Sequence, residues 1–157
     1  MKKILITGSN GLLGQKLVYA LLKRDDVEII AVSKGENRIK EKKGYTYESV
    51  DITDGPLVLK IFSTNRPDIV INTAAMTNVD ACETQKEECW KLNVIAVNNI
   101  IKALEQLQTS NLKLKTHFIH LSTDFVFDGE AGPYKEDDKP NPLSYYGLSK
   151  YESEKLL

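Results

Sequence analysis

Short apolar runs and helical spacings alternate along this chain. Residues 3–7, 28–33, 45–50, 68–72 and 117–122 are rich in Ile, Val and aromatic side chains, with nearly continuous apolar positions, as in strands buried on both faces. Residues 12–22 and 56–62 carry apolar side chains at helical steps. Residues 84–107 form the longest such stretch, with Trp90, Val94, Val97 and Ile101 three or four positions apart. Thr84 followed by Glu87 predicts a capping box at its start. Strands alternating with helices in this order predict an α/β fold, a Rossmann-like doubly wound parallel sheet in three layers.

Two stretches depart from a small self-contained domain. Residues 124–141 are irregular and rich in Asp, Glu, Gly and Pro, and loops of that length are commonly functional. Residues 151–157 continue a helical pattern that stops without Gly, Asn or another capping signal. A dinucleotide-binding sheet commonly has six strands, and five are counted here. Residues 1–157 therefore read as a fragment, an NAD(P)-binding Rossmann domain truncated after about five strands, with a C-terminal substrate domain absent.

Charge narrows the partners. The chain has 21 Lys and Arg against 22 Asp and Glu, interspersed, for a net charge of -1. No basic field is available to hold a nucleic-acid backbone. The first apolar run, Ile4-Leu5-Ile6, is too short for a signal-peptide core or a membrane span, so a cytoplasmic protein is expected. Cys82 and Cys89, seven positions apart, suit reduced structural thiols better than a disulfide framework. His117 and His120, three apart on a strand, point to opposite faces and cannot converge on a metal. No metal site is expected.

Gly8-Ser9-Asn10-Gly11-Leu12-Leu13-Gly14 follows the first strand and opens the first helix, the context a dinucleotide-binding loop requires. Gly8 permits the sharp turn, Gly11 lets the backbone approach a pyrophosphate, and Gly14 lets the helix pack close to the strand. Free amides at the helix start then hold the anion. The second strand ends at Val32-Ser33-Lys34. A hydroxyl and a cation, with no carboxylate at this tip, favour NADP(H) by charge, with NAD(H) as the alternative.

Tyr146 and Lys150 stand four apart, on one face of a predicted helix. A nearby ammonium favours the phenolate and so eases proton exchange between a phenol and a carbonyl at neutral pH. Tyr145 has Ser149 as its fourth neighbour and lacks that partner. Thr123 and Asp124 end the fifth strand, at the carboxyl edge where open α/β sheets bind ligands. The Thr123 hydroxyl is suited to orient a carbonyl, and Asp124 is a supporting candidate. The fourth strand ends at Asn72-Thr73-Ala74-Ala75, whose small side chains permit close approach by a flat ring.

Gly8, Gly11 and Gly14, then Asn72 to Ala75, Ser122-Thr123-Asp124, and Tyr146 with Lys150, in this order and at these intervals, resemble the extended short-chain dehydrogenases/reductases over the whole chain. Residues 77–83 and 122–129, with Pro133, Tyr134, Glu136, Pro142 and Gly147, look like the dTDP-4-dehydrorhamnose reductase branch. That resemblance implies reduction of dTDP-4-dehydro-L-rhamnose with hydride from NADPH. It makes Tyr146 the proton donor, has Lys150 tune Tyr146 and hold the nicotinamide ribose, and sets Thr123 on the carbonyl oxygen. It also implies Asp51 and Ile52 beside the adenine, Ala74, Ala75 and Thr77 along the cofactor, and Asn93 bridging strand and helix near the active site. A dTDP-sugar is the implied substrate, and a homodimer is compatible. Two other functions stay open: a noncatalytic NADP-binding regulatory subunit, and an epimerase or dehydratase of the same superfamily.

Overall fold

The computed structural model describes residues 1–110 and 115–157. The chain forms two compact units, residues 1–74 with 99–121, and residues 75–98 with 122–157.

The first unit holds the sheet. Strands β1 (Lys2–Thr7), β2 (Val27–Ser33), β3 (Thr46–Ser49), β4 (Ile69–Asn72) and β5 (His117–His120) are all parallel, in the order β3-β2-β1-β4-β5. This is the Rossmann-like order, and its switch point falls between β1 and β4. Thr7 pairs with Val32 on one side and Asn72 on the other, so three strands end level at their carboxyl edge. Ile4, Ile6, Ile29 and Ala31 cluster with Val18 of helix α1 (Leu12–Leu21), while alternation sends the equally buried Leu5, Ile30 and Val32 to the opposite face. Helix α2 (Gly55–Asn65) starts on Asp54, whose side chain accepts from the Leu57 amide, and buries Val58, Ile61 and Phe62.

The strands match the predicted runs to within two residues at each end. Burial on both faces does not extend to β5, where His117 and Ile119 are exposed, because that strand is an edge of this sheet.

The second unit holds short helices α3 (Val79–Thr84) and α4 (Lys86–Trp90), a π-helical turn at Lys91–Ile95 and a 3-10 turn at Asp124–Val126. It also holds helix α6 (Tyr145–Glu154). Helix α5 (Ala96–Thr109) begins here and continues into the first unit.

The single helix predicted over residues 84–107 is therefore corrected to α4, the π turn and α5, and the capping box is not formed. Thr84 is the last residue of α3, its hydroxyl bonded to the Asp80 and Ala81 carbonyls, and Gln85 stands between the two helices at φ -120°, ψ 57°. Asn78 caps α3 instead, accepting from the Ala81 amide. Helix α6 closes at Glu154, three residues before the pattern read from the sequence ends. Among the described residues no helix is long and apolar enough to cross a membrane.

Candidate active site

In the first unit the loop after β1 is built around missing side chains. Gly8 has φ +71°, and a Cβ there would lie 2.6 Å from the Ala74 amide nitrogen and 2.7 Å from its Cα. At Gly14 a Cβ would stand 2.4 Å from the Gly8 carbonyl oxygen, so the first turn of α1 rests on the loop itself. Gly11 occupies the cap position of α1 in extended conformation, with no side-chain cap and no acidic residue in the first turn. The leading amides of α1 are thus left for an anion. The Ser9 hydroxyl is buried without a hydrogen-bond partner among the described residues, so a polar group bound at this loop would meet a free hydroxyl there. Leu12 is 81% exposed and Leu13 46%, so neither side chain packs under the loop.

Asn10 has a different occupation. Its Nδ2 donates to the Glu36 carbonyl at 2.8 Å and to the Tyr47 hydroxyl at 3.1 Å, and its Oδ1 accepts from the Arg38 amide at 2.9 Å. It pins the segment after β2 to the glycine loop. At the β2 tip, the Lys34 ammonium lies 2.8 Å from Asp51. Lys34 and the Thr53 hydroxyl hold the Asp51 carboxyl down at about 2. The tip is not free of carboxylates as its local sequence predicts, because Asp51 arrives from the end of β3. Ile52 is buried, with its carbonyl accepting from Asn99 Nδ2 at 3.2 Å.

A buried polar ladder crosses the carboxyl edge of the sheet. The Thr7 hydroxyl donates to Asn72 Oδ1 at 2.5 Å, Asn72 Nδ2 and His120 Nδ1 are 3.1 Å apart, and the Ala74 amide donates to Asn72 Oδ1 at 3.2 Å.

The second unit gathers the remaining candidates. Helix α6 is capped by Ser144, whose hydroxyl accepts from the Gly147 amide at 3.0 Å, and its Tyr146, Ser149 and Lys150 are buried. Tyr146 packs with Cys82 and Cys89 and meets Phe125 edge-on, with centroids 5.8 Å apart at 71°. Tyr145 packs against the same cluster from its partly buried side and is tilted against Trp90 at 6.2 Å. Thr123 starts the 3-10 turn, its hydroxyl accepting from the Phe125 amide at 3.2 Å, and Asp124 is exposed beside it. Gly147 brings these elements together, since a Cβ there would lie 2.3 Å from the Phe125 carbonyl oxygen. By local propensity it is a glycine inside a helix, which costs about 1 kcal/mol relative to alanine unless packing demands it; the packing that demands it is not visible in the sequence pattern that includes it.

Asn93, in the π turn, fixes Met76 through both backbone groups: Oδ1 accepts from the amide at 2.7 Å and Nδ2 donates to the carbonyl at 3.0 Å. Ala75 is half-buried beside this clamp, and Thr77 is exposed. The loop following the 3-10 turn is shaped by Asp128, which accepts from the Tyr134 hydroxyl and, at 2.9 Å, from Asn141 Nδ2. Tyr134 stacks flat on Phe127 at 4.4 Å. A cavity of about 640 Å³ lies among Asp124, Phe125, Phe127, Tyr134, Leu143 and Ser144, a size suited to a small molecule.

Lys150 is 2% exposed. Burial pushes its ammonium down to about 8, with Glu154 one turn on opposing the shift. Glu154 in turn accepts a hydrogen bond from the Ser122 hydroxyl. A lysine whose pKa falls on folding binds fewer protons in the folded state, so stability rises as pH increases from about 8 to the ordinary lysine value of 10.5. Lys150→Met is expected to be the more stable protein at neutral pH, by about 1–3 kcal/mol. That advantage should be full below about pH 8 and fade toward 10.5. Urea unfolding of both proteins across this range checks it, and equal stabilities at pH 7 would contradict it.

Residues 1–157 match the family model described as RmlD substrate binding domain. The chain is 33% identical over its whole length to dTDP-4-dehydrorhamnose reductase of Aggregatibacter actinomycetemcomitans, covering 47% of that protein. It is 34% identical over 99% of its length to methionine adenosyltransferase 2 subunit beta of Bos taurus, covering 42%. Among solved structures, MoeE5 in complex with UDP-glucuronic acid and NAD superposes with a TM-score of 0.82 at 25% identity, over 98% of this chain and 48% of that one. The chain thus spans about half the length of the proteins it matches.

Proposed function

Because this chain belongs to the RmlD substrate binding domain family over its whole length, we propose that the protein carrying it is an NADP(H)-dependent oxidoreductase. Its reaction in this reading is reduction of the 4-keto group of dTDP-4-dehydro-L-rhamnose to give dTDP-L-rhamnose. The observation that carries the reading is the buried Lys150 one helical turn after Tyr146, on the helix that Gly147 seats against the Thr123 segment.

The residues divide the work. The leading amides of α1, reached through Gly8, Gly11 and Gly14, hold the pyrophosphate, and the buried Ser9 hydroxyl supplies a further polar contact. Lys34, with Ser33, faces the 2′-phosphate. Its pairing with Asp51 sets the cost of that contact, since the ammonium is shared between carboxylate and phosphate. NADPH is therefore preferred, and NADH is the weaker alternative. When bound, the reduced nicotinamide supplies hydride. Thr123 hydrogen-bonds the carbonyl oxygen, Tyr146 gives its phenolic proton to the developing alkoxide, and Lys150 stabilises the phenolate left behind. Asp124 borders the cavity that accepts the sugar. The remaining sugar-nucleotide contacts come from a C-terminal domain of the full-length protein, which works as a cytoplasmic homodimer.

The test is NADPH oxidation by the full-length protein on addition of dTDP-4-dehydro-L-rhamnose, beside titrations with NADPH and NADH. Turnover with tighter NADPH binding is expected. Tighter NADH binding would reverse the cofactor assignment, and a tightly held NAD released only on denaturation would replace reductase by epimerase or dehydratase. Nucleotide binding without turnover of any keto sugar would favour a second reading, a regulatory subunit, to which the likeness to a methionine adenosyltransferase subunit points.

A further inference from the structure

We propose that Ser149 is a positioning residue for the Tyr146–Lys150 turn, its buried hydroxyl tying the backbone of that turn to the amide of Asn93; the kinetic part of this inference rests on the reductase reading above. Ser149 is completely buried on α6. A serine hydroxyl in a helix ordinarily bonds a carbonyl one turn back and loosens the helix there. Ser149 Oγ does donate to the Tyr146 carbonyl at 2.7 Å, and it also accepts from Asn93 Nδ2 at 2.9 Å.

The Asn93 side chain is then fully engaged. Its oxygen and one N–H hold the two backbone groups of Met76, and its other N–H is directed at Ser149. Cys89 Sγ, also completely buried, lies 3.5 Å from the same hydroxyl and 3.5 Å from Asn93 Nδ2. With Asn93 and Ser149 both buried, losing the hydroxyl leaves that Asn93 N–H only the weaker sulfur acceptor of Cys89. It also removes the side-chain hydrogen bond on the Tyr146 carbonyl, at one end of the turn that carries Lys150.

The π turn completes the device. One extra residue in the helical turn at Lys91–Ile95 accompanies the inward-facing amide, and such bulges interrupt helices at functional positions more than elsewhere. The path from Met76 through Asn93 and Ser149 to Tyr146 consists of four hydrogen bonds, each between 2.7 and 3.0 Å. A phenol that must meet a carbonyl oxygen within hydrogen-bond reach depends on such a tether, because a displacement of about 1 Å costs up to about 100-fold in rate.

The experiment compares full-length wild type, Ser149→Ala and Ser149→Thr by steady-state kinetics and by NMR of tyrosine labelled at Cζ, with the Tyr146 signal assigned from Tyr146→Phe. In folded S149A, kcat is expected to fall about 10- to 100-fold with the NADPH KM within about two-fold, and the Tyr146 signal to shift and titrate differently. The threonine variant, which keeps the hydroxyl, should recover both. Wild-type kcat and an unmoved Tyr146 signal in folded S149A would overturn the proposal, as would S149T behaving like the alanine variant. Should S149A fail to fold, hydrogen exchange at the Asn93 side-chain amide of the wild type decides: slow exchange of both protons supports the tether, and rapid exchange of either removes it. If the wild type reduces no keto sugar, the reductase reading fails while the Tyr146 titration and the amide exchange still judge Ser149.

Discussion

Gly8→Val is expected to remove nucleotide binding and to lower stability by about 2–5 kcal/mol, adding a left-handed β-branched residue to an overpacked contact. The two costs have separate origins. At φ +71° any side chain is strained, and a branched one most of all. The space is also taken, since a Cβ would meet the Ala74 nitrogen at 2.6 Å and its Cα at 2.7 Å. Ala74 cannot retreat easily, because its amide is bonded to Asn72 and Asn72 is locked into register beside Thr7 at the end of β1. Relief must come from the loop, which would carry the leading amides of α1 away from the anion. Gly35→Val separates the contributions, having φ +82° but nothing within 4 Å of the added Cβ. It should cost only the conformational part, about 1–2 kcal/mol. Thermal unfolding and NADPH titration of both variants check this, and a Gly8→Val protein that binds NADPH like the wild type would refute it.

The glycine loop was readable because its demands are local. A strand of Ile4, Leu5 and Ile6, three spaced glycines and an amphipathic helix place one another through backbone geometry alone, and the predicted strands fall on the observed ones for the same reason. The helix predicted over residues 84–107 broke where locality ends. Its apolar spacing carries across the interruption, while the causes are remote: Asn93 turns inward to Met76, 17 residues earlier, and to Ser149, 56 later. Periodicity contains no trace of either. Lys34 shows the same limit in charge, since a cation at a strand tip looks free until the fold delivers Asp51, 17 positions on. At helix α6, spacing placed Tyr146 and Lys150 on one face, but spacing alone equally fits a solvated Lys150. Its burial, the seat at Gly147 and the tether at Ser149 all depend on segments that meet only in three dimensions.

On the reductase reading, Tyr146→Phe should cost the full-length protein about 10²- to 10⁴-fold in kcat, the range attached to a positioned proton donor, while leaving stability within about 1 kcal/mol of wild type. The ring is what the fold uses: it packs with Cys82 and Cys89 and meets Phe125 edge-on, and phenylalanine keeps each of these contacts. The hydroxyl is what the proposed chemistry uses. As the proton leaves, a phenolate develops one helical turn from Lys150, and only the charged ammonium stabilises it. Lys150 is charged below about 8 and neutral above, so the wild-type rate of ketone reduction should decline as pH rises through that value. In the phenylalanine variant no phenolate forms, so the residual rate should lose this alkaline limb. Parallel pH–rate profiles of the two proteins decide the matter. A variant within about three-fold of wild type, or one that keeps the same limb, would take Tyr146 out of the proton-donating role and leave Lys150 acting on some other group.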